Sequence, residues 1–376
     1  MKMWGWVLAA AVIFPAAMMG QAGTAAASAA SQGDRQSDGM HGFDFEVGTW
    51  KIHLKKLMNP MTGSKDWVEF DGTSTTRKIW NGQGQIEQFE TDSPMGHIEG
   101  LTLRLYDPGS HQWRLYWANS RNGVMDPPQV GEFKNGTGEF YAQDTINGKV
   151  MLIRFIWSKT DTEAPHFEQS FSDDGGKTWE VNWITDQTRV PEETFKANAT
   201  PTTVQASGAG ASAERDGQHD FDFIFGNWNV QLKRRVHSAT GEDKWTEFSG
   251  YASYEKLWDG RANINEFEAN SPTGHVLGMT LRTYDPRSHQ WRLYWANSKD
   301  GIVDVPQIGE FKDGVGEFYA QDTIEGKSVL IRYVWSKITP TSVHFEQSIS
   351  SDGGKTWEAN WVSDMTCAGD APNKAH

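Results

Sequence analysis

Four residues could carry acid–base chemistry: His97 and Asp144, and their copies His275 and Asp322. An imidazole and a carboxylate beside one substrate can exchange protons with it, which is what a barrel isomerase, hydratase or cyclase would need. A second set suits binding: Trp117, Asn119, Trp157 and His111, with copies Trp295, Asn297, Trp335 and His289. Indoles offer large apolar faces with one N–H each, and Asn and His add polar points between them. That mixture would line a pocket for a small apolar or aromatic ligand. Exposed Trp could instead stack on sugar faces, making a carbohydrate-associated module. Other chemistries lack residues. One Cys, Cys367, excludes an intrachain disulfide. Without a Cys cluster, His-x-His, H-E-x-x-H, Gly-x-Ser-x-Gly or a phosphate-binding loop, neither metal nor cofactor is expected.

The elements that must position these residues come in two copies. Residues 41–189 match 219–367 at a constant offset of 178, Trp50 with Trp228 and His97 with His275 among them. Of 18 Trp, eight fall in each repeat, so one Trp-rich design was copied. Residues 191–218 are rich in Ala, Thr, Ser and Gly and read as a flexible linker between domains at 41–190 and 219–367. Within each repeat, Asn-Gly and Asp-x-Gly turns separate runs alternating in period two, as in Gln112-Trp113-Arg114-Leu115-Tyr116-Trp117. The expected class is all-β, two tandem antiparallel up-and-down barrels of about ten strands each, since closure removes sheet edges.

Alternate residues of a barrel strand face inward, and the apolar phase suggests which. Trp113, Leu115 and Trp117 form one inward set, Leu101, Leu103 and Leu105 another, then Ile153, Phe155 and Trp157, and Trp179, Val181 and Trp183. His97, Glu99, His111, Asn119 and Asp144 fall in phase with them. Arg104, Arg114, Arg154 and His166 fall on the opposite phase and are expected at the solvent face or rim.

Three resemblances follow from motifs. Gly48-Thr49-Trp50 and Gly226-Asn227-Trp228 resemble the Gly-x-Trp signature that opens lipocalin and other calycin barrels, which implies a barrel of that kind. The set His-x-Phe-Asp-Phe, Leu-Arg-x-Tyr-Asp-Pro, Trp-Arg-Leu-Tyr-Trp-Ala and Ser-x-Asp-Gly-Gly-Lys-Thr-Trp resembles a bacterial exported family, domain of unknown function 1579. That resemblance implies a fold and no activity. Ser172 to Trp179 and Ser350 to Trp357 resemble the Asp-box of sialidases. One copy per repeat cannot supply the blades of a propeller, so it reads as a structural hairpin.

Net charge is -14, from 35 Lys and Arg against 49 Asp and Glu, which argues against nucleic acid as a partner. Residues 1–30 carry Lys2, an apolar run and Ala27-Ser28-Ala29, the plan of a cleaved signal peptide. The expected product is periplasmic or secreted, has no integral membrane segment after cleavage, and is a two-domain monomer binding a small molecule.

Overall fold

A computed structural model describes residues 39–191, 216–237, 243–272, 274–324 and 326–369. The expected signal segment, 1–30, and nearly all of the expected linker, 191–218, lie outside the described residues. Ten antiparallel strands, β1 (Gly48–Leu57) to β10 (Glu180–Arg189), close into one barrel, and β11 (Gly226–His237) to β20 (Glu358–Cys367) close into a second. Trp50 on β1 sits opposite Ser74 on one side and Arg189 on the other, so the first strand seals the sheet. Consecutive strands pair throughout. Asn135-Gly136 and Asn147-Gly148 turn two of the hairpins with left-handed φ of 52° and 77°, then 51° and 77°, as a two-residue hairpin requires.

Directly opposed residues share a face, so register decides what lies inside. Trp113, Leu115, Trp117 and Asn119 on β5 (Gln112–Asn119) face inward opposite Tyr106, Arg104, Thr102 and Gly100 of β4 (Gly96–Asp107). This corrects the expected phase of β4 by one residue. Leu101, Leu103 and Leu105 point out of the barrel, while Arg104, expected at the surface, lies inside with 2% of its area exposed. A bulge between Val181 and Trp183 likewise splits the third Trp set. Trp183 joins the inner cluster, whereas Trp179 lies outside under the Arg154 guanidinium, 4.4 Å from its ring centroid.

The outward leucines are buried because the second barrel covers them. Ile79, Ile86, Leu101, Leu103 and Leu105 pack with Leu257, Ile264, Met279 and Leu281 in one cluster spanning both barrels. Polar contacts repeat across it with approximate two-fold symmetry. Met125 N donates to Tyr294 Oη (3.1 Å), and Val303 N to Tyr116 Oη (3.2 Å). Gly123 and Gly301 press against the Tyr284 and Tyr106 backbones, where a Cβ would lie 2.4 and 2.6 Å from the carbonyl oxygens. Arg114, expected in solvent, pairs with Asp107 (2.9 Å) and reaches Asp300 O (3.4 Å) across the seam. The repeats thus form one packed body.

One end of each barrel is plugged by the residues before the first strand. Phe43 is fully buried with its centroid 4.8–5.4 Å from those of Phe133, Trp113, Trp157 and Phe140. Phe221 repeats the arrangement with Trp291, Phe311, Phe318 and Trp335.

The Ser-x-Asp-x-Gly-x-Thr-Trp hairpins are knitted by one carboxylate each. Asp174 accepts from Ser172 Oγ, Lys177 N, Thr178 N and Thr178 Oγ1 at 2.8–3.0 Å. The Thr178 amide and hydroxyl chiefly hold its pKa down at about 2, as Thr356 does for Asp352. A depressed carboxyl contributes stability above its ordinary value of 3.8, and that contribution fades as pH falls toward 2. Asp174→Ala should therefore speed hydrogen exchange at the Lys177 and Thr178 amides at neutral pH. Unchanged protection there would show that the carboxylate does not organise the turn.

Candidate functional site

Several polar groups gather around Arg104 inside the first barrel. Arg104 Nη2 donates to Glu87 Oε2 (2.6 Å), and Ser74 Oγ donates to Glu87 Oε1 (2.6 Å). Glu46, fully buried at the plug, accepts from Trp157 Nε1 (2.9 Å) and Gln187 Nε2 (3.3 Å). Burial raises the Glu46 pKa against the pull of Arg104, and the Glu87 charge raises it further. One guanidinium thus faces one carboxylate and a second carboxyl that is driven toward its neutral form.

The second barrel keeps the arginine and removes the acids. Arg282 occupies the place of Arg104, but Asn265 replaces Glu87 and Ile224 replaces Glu46. Ala252, Met365 and Tyr254 stand where the first repeat has Ser74, Gln187 and Thr76. Arg282 Nη1 donates to Asn263 Oδ1 (3.1 Å) and Asn265 Oδ1 (3.0 Å). Its Cζ lies 5.2 Å from the ring centroids of Phe221, Tyr254 and Trp335. Arg282 Nε and Trp335 Nε1 are buried donors without a hydrogen-bond partner. Trp335 is the copy of Trp157, whose N–H goes to the Glu46 carboxyl that the second repeat lacks.

Above Arg282 lies a cavity of about 470 Å³, within the size range of small-molecule sites, roughly 300–1,000 Å³. Its walls include Phe248, Phe267, Trp295, Trp335, Phe345 and Trp361. Trp295 can lie flat there because Gly278 faces it, where a Cβ would come within 2.2 Å of the indole. The rim carries Arg234, His275, Asn297, Lys299, Asp300 and Asp304. Surrounding protein desolvates the Asp304 carboxyl and pushes it up to about 6, with Asp300 and Asp322 adding repulsion. Asp126 in the first barrel behaves alike, at about 6, chiefly by burial and then by the Asp144 charge.

Of the residues singled out in the sequence, Trp295, Asn297, Trp335 and His275 line this cavity. Trp117 and Asn119 hold the matching inward positions of the first barrel, with Trp117 edge-on to Phe89 at 5.7 Å. Trp157 is bound to the plug through Glu46. His111 and His289 are misplaced by phase reasoning. Each sits in the β4–β5-type turn with left-handed φ of 57° or 56°, at the plugged end, and His111 Nδ1 lies 3.1 Å from Tyr106 Oη.

His97 is on the outer face of β4, where Asp92 (2.8 Å) raises its pKa through a hydrogen bond; His275 bonds Asn270 (2.9 Å). Asp144 and Asp322 each accept from the next backbone amide, Thr145 N (2.6 Å) and Thr323 N (2.7 Å). Among the described residues no hydrogen bond or ion pair joins His97 to Asp144 or His275 to Asp322.

No family model matches the chain, and no curated protein matches it. An S-type phycobiliprotein lyase from Guillardia theta superimposes with 10% identity and a TM-score of 0.30, over 42% of this chain and 95% of the lyase. A protein of unknown function from the DUF3598 family of Nostoc punctiforme gives 10% identity and 0.23, over 88% of this chain and 98% of its own. A transferrin binding protein B mutant from Haemophilus parasuis gives 8% and 0.18, over 85% and 75%. Scores this low carry no functional argument. The likeness to domain of unknown function 1579 rests on its motifs alone.

Proposed function

We propose that this chain is an exported carrier or sensor of a small, partly aromatic or apolar molecule, which it binds in the second barrel. The observation that carries this reading is the cavity of about 470 Å³ walled by Trp295, Trp335, Trp361, Phe248, Phe267 and Phe345. Aromatic walls supply apolar area, and a few polar groups at the base and rim set orientation. Export is proposed from the signal-like residues 1–30. The acid–base alternative is less well supported, because each candidate His and Asp bonds a different partner.

Native mass spectrometry of protein purified from its own host tests both parts. A co-purifying small molecule is expected, on a chain shortened by about 30 residues. Trp361 is part of the cavity wall, with its centroid 6.3 Å from that of Phe248 and 6.4 Å from that of Phe267. Trp361→Ala should weaken the retained ligand roughly tenfold, about 1.4 kcal/mol. An empty cavity in every host preparation would count against the binding reading, and an uncleaved chain that keeps residues 1–30 against export.

A further inference from the structure

Resting on that reading, we propose that the second barrel's ligand is an organic anion whose carboxylate pairs with Arg282, taking the role that Glu87 plays inside the first barrel. The two repeats form a natural comparison. They share the fold, the arginine, the plug phenylalanine and the stacked Trp, and differ at the groups that neutralise the arginine. In the first barrel Arg104 has Glu87 at 2.6 Å and Glu46 close enough to act on it. In the second, the groups around Arg282 are neutral: the amides of Asn263 and Asn265, the Tyr254 and Tyr333 phenols, and the rings of Phe221 and Trp335. The acids nearest this region, Asp304 and Asp322, act on Tyr333. Arg282 is only 2% exposed.

A guanidinium does not lose its proton in a protein, so it cannot escape the cost of burial by neutralising itself. An unpaired buried charge is strongly unfavourable. Amide oxygens and ring faces offset part of that cost. They leave Arg282 Nε and Trp335 Nε1 without acceptors; Arg104 Nε and Nη1 are unpaired too, so the unpaired Trp335 indole is the one that sets the second barrel apart. Both side chains line the open cavity, so an entering carboxylate would meet a full positive charge and vacant donors at the base of aromatic walls. Charge-assisted pairs of this kind are the strong ones. Arg234 and Lys299 add positive charge at the rim, opposed by Asp300 and Asp304.

The test uses the full chain at pH 7.5 with decanoate and its uncharged amide, decanamide, titrated by calorimetry. Decanoate should bind at least tenfold more tightly than decanamide. Asn265→Glu, which installs the first barrel's own acid beside Arg282, should cut decanoate affinity at least tenfold and leave decanamide within threefold. Arg282→Met should do the same, and Asn265→Glu keeps the test decisive if Arg282→Met does not fold. Equal affinity of the two probes, or decanoate binding unmoved by Asn265→Glu, would overturn the anion assignment while leaving the cavity reading intact. Binding of neither probe would overturn both.

Discussion

Leu281→Asp should separate the melting of the two barrels and lower the first transition by roughly 10 °C. Leu281 is fully buried, yet it points out of its own barrel into the cluster shared with Leu101, Leu103 and Leu105. Losing the leucine and burying a carboxylate without a partner costs on the order of 5 kcal/mol, and each kcal/mol moves the melting of a large domain by roughly 2–4 °C. Separation of the barrels is the available escape, because it returns the new carboxylate to water without opening either sheet. Calorimetry should then show two transitions where the parent shows one. A single transition at the parent temperature would mean that the seam contributes little.

Charges at the seam distinguish the copies. Arg77 pairs with Glu255 (2.6 Å) and Glu266 (2.8 Å), and Arg261 with Glu99. The copy of Arg77 is Glu255 itself, and the copy of Glu99 is Leu277. Two second repeats facing each other would therefore set Glu255 against Glu255 and Glu266. Each half-exposed pair adds little to stability, but together they favour the first repeat as the second's partner. The seam has the approximate two-fold form of an isologous contact, made asymmetric by these charges.

The barrels were legible in the sequence because turn chemistry and period-two alternation recur along the length of each copy. Register was legible on β5 because the polar Gln112 and Arg114 alternate with Trp113 and Leu115, even though Tyr116 and Ala118 on the outer face are buried in the seam. On β4 it was not. Leu101, Leu103 and Leu105 look like a core stripe, and they are one, but the core belongs to the seam between barrels. A strand buried on both faces carries no alternation that marks its inside. Arg104 and Arg282 were lost for the same reason, since the rule that arginine faces water fails where an acid or an aromatic cage receives it. The signal that could have found the cavity was the list of differences between repeats. Glu87 becoming Asn265 and Glu46 becoming Ile224, while the arginine stays, breaks charge balance at one point of an otherwise copied interior. His97 was singled out by its phase with Leu101, which on β4 is the outer phase; similarity between the copies reports shared ancestry and marks no chemistry.

Glu87→Gln is expected to destabilise the first barrel by about 3 kcal/mol, the lower end of what breaking a buried ion pair costs. The lower end applies because a reserve acid is present. The Glu46 pKa is raised chiefly by burial, and partly by the Glu87 charge beside it. Removing that charge lets Glu46 ionise more readily toward Arg104, so Glu46→Gln with Glu87→Gln should cost more than the two single changes added. The pH dependence separates the roles. A carboxyl whose folded pKa is raised contributes stability that is full below its ordinary value of 4.5 and lost as pH climbs through the raised value. Glu46→Gln alone should therefore flatten the fall in stability on the alkaline side, and in the Glu87→Gln background that flattening should be smaller. Chemical denaturation followed across pH 5 to 9 reads both effects; additive costs with an unchanged slope would show that the two acids do not share Arg104.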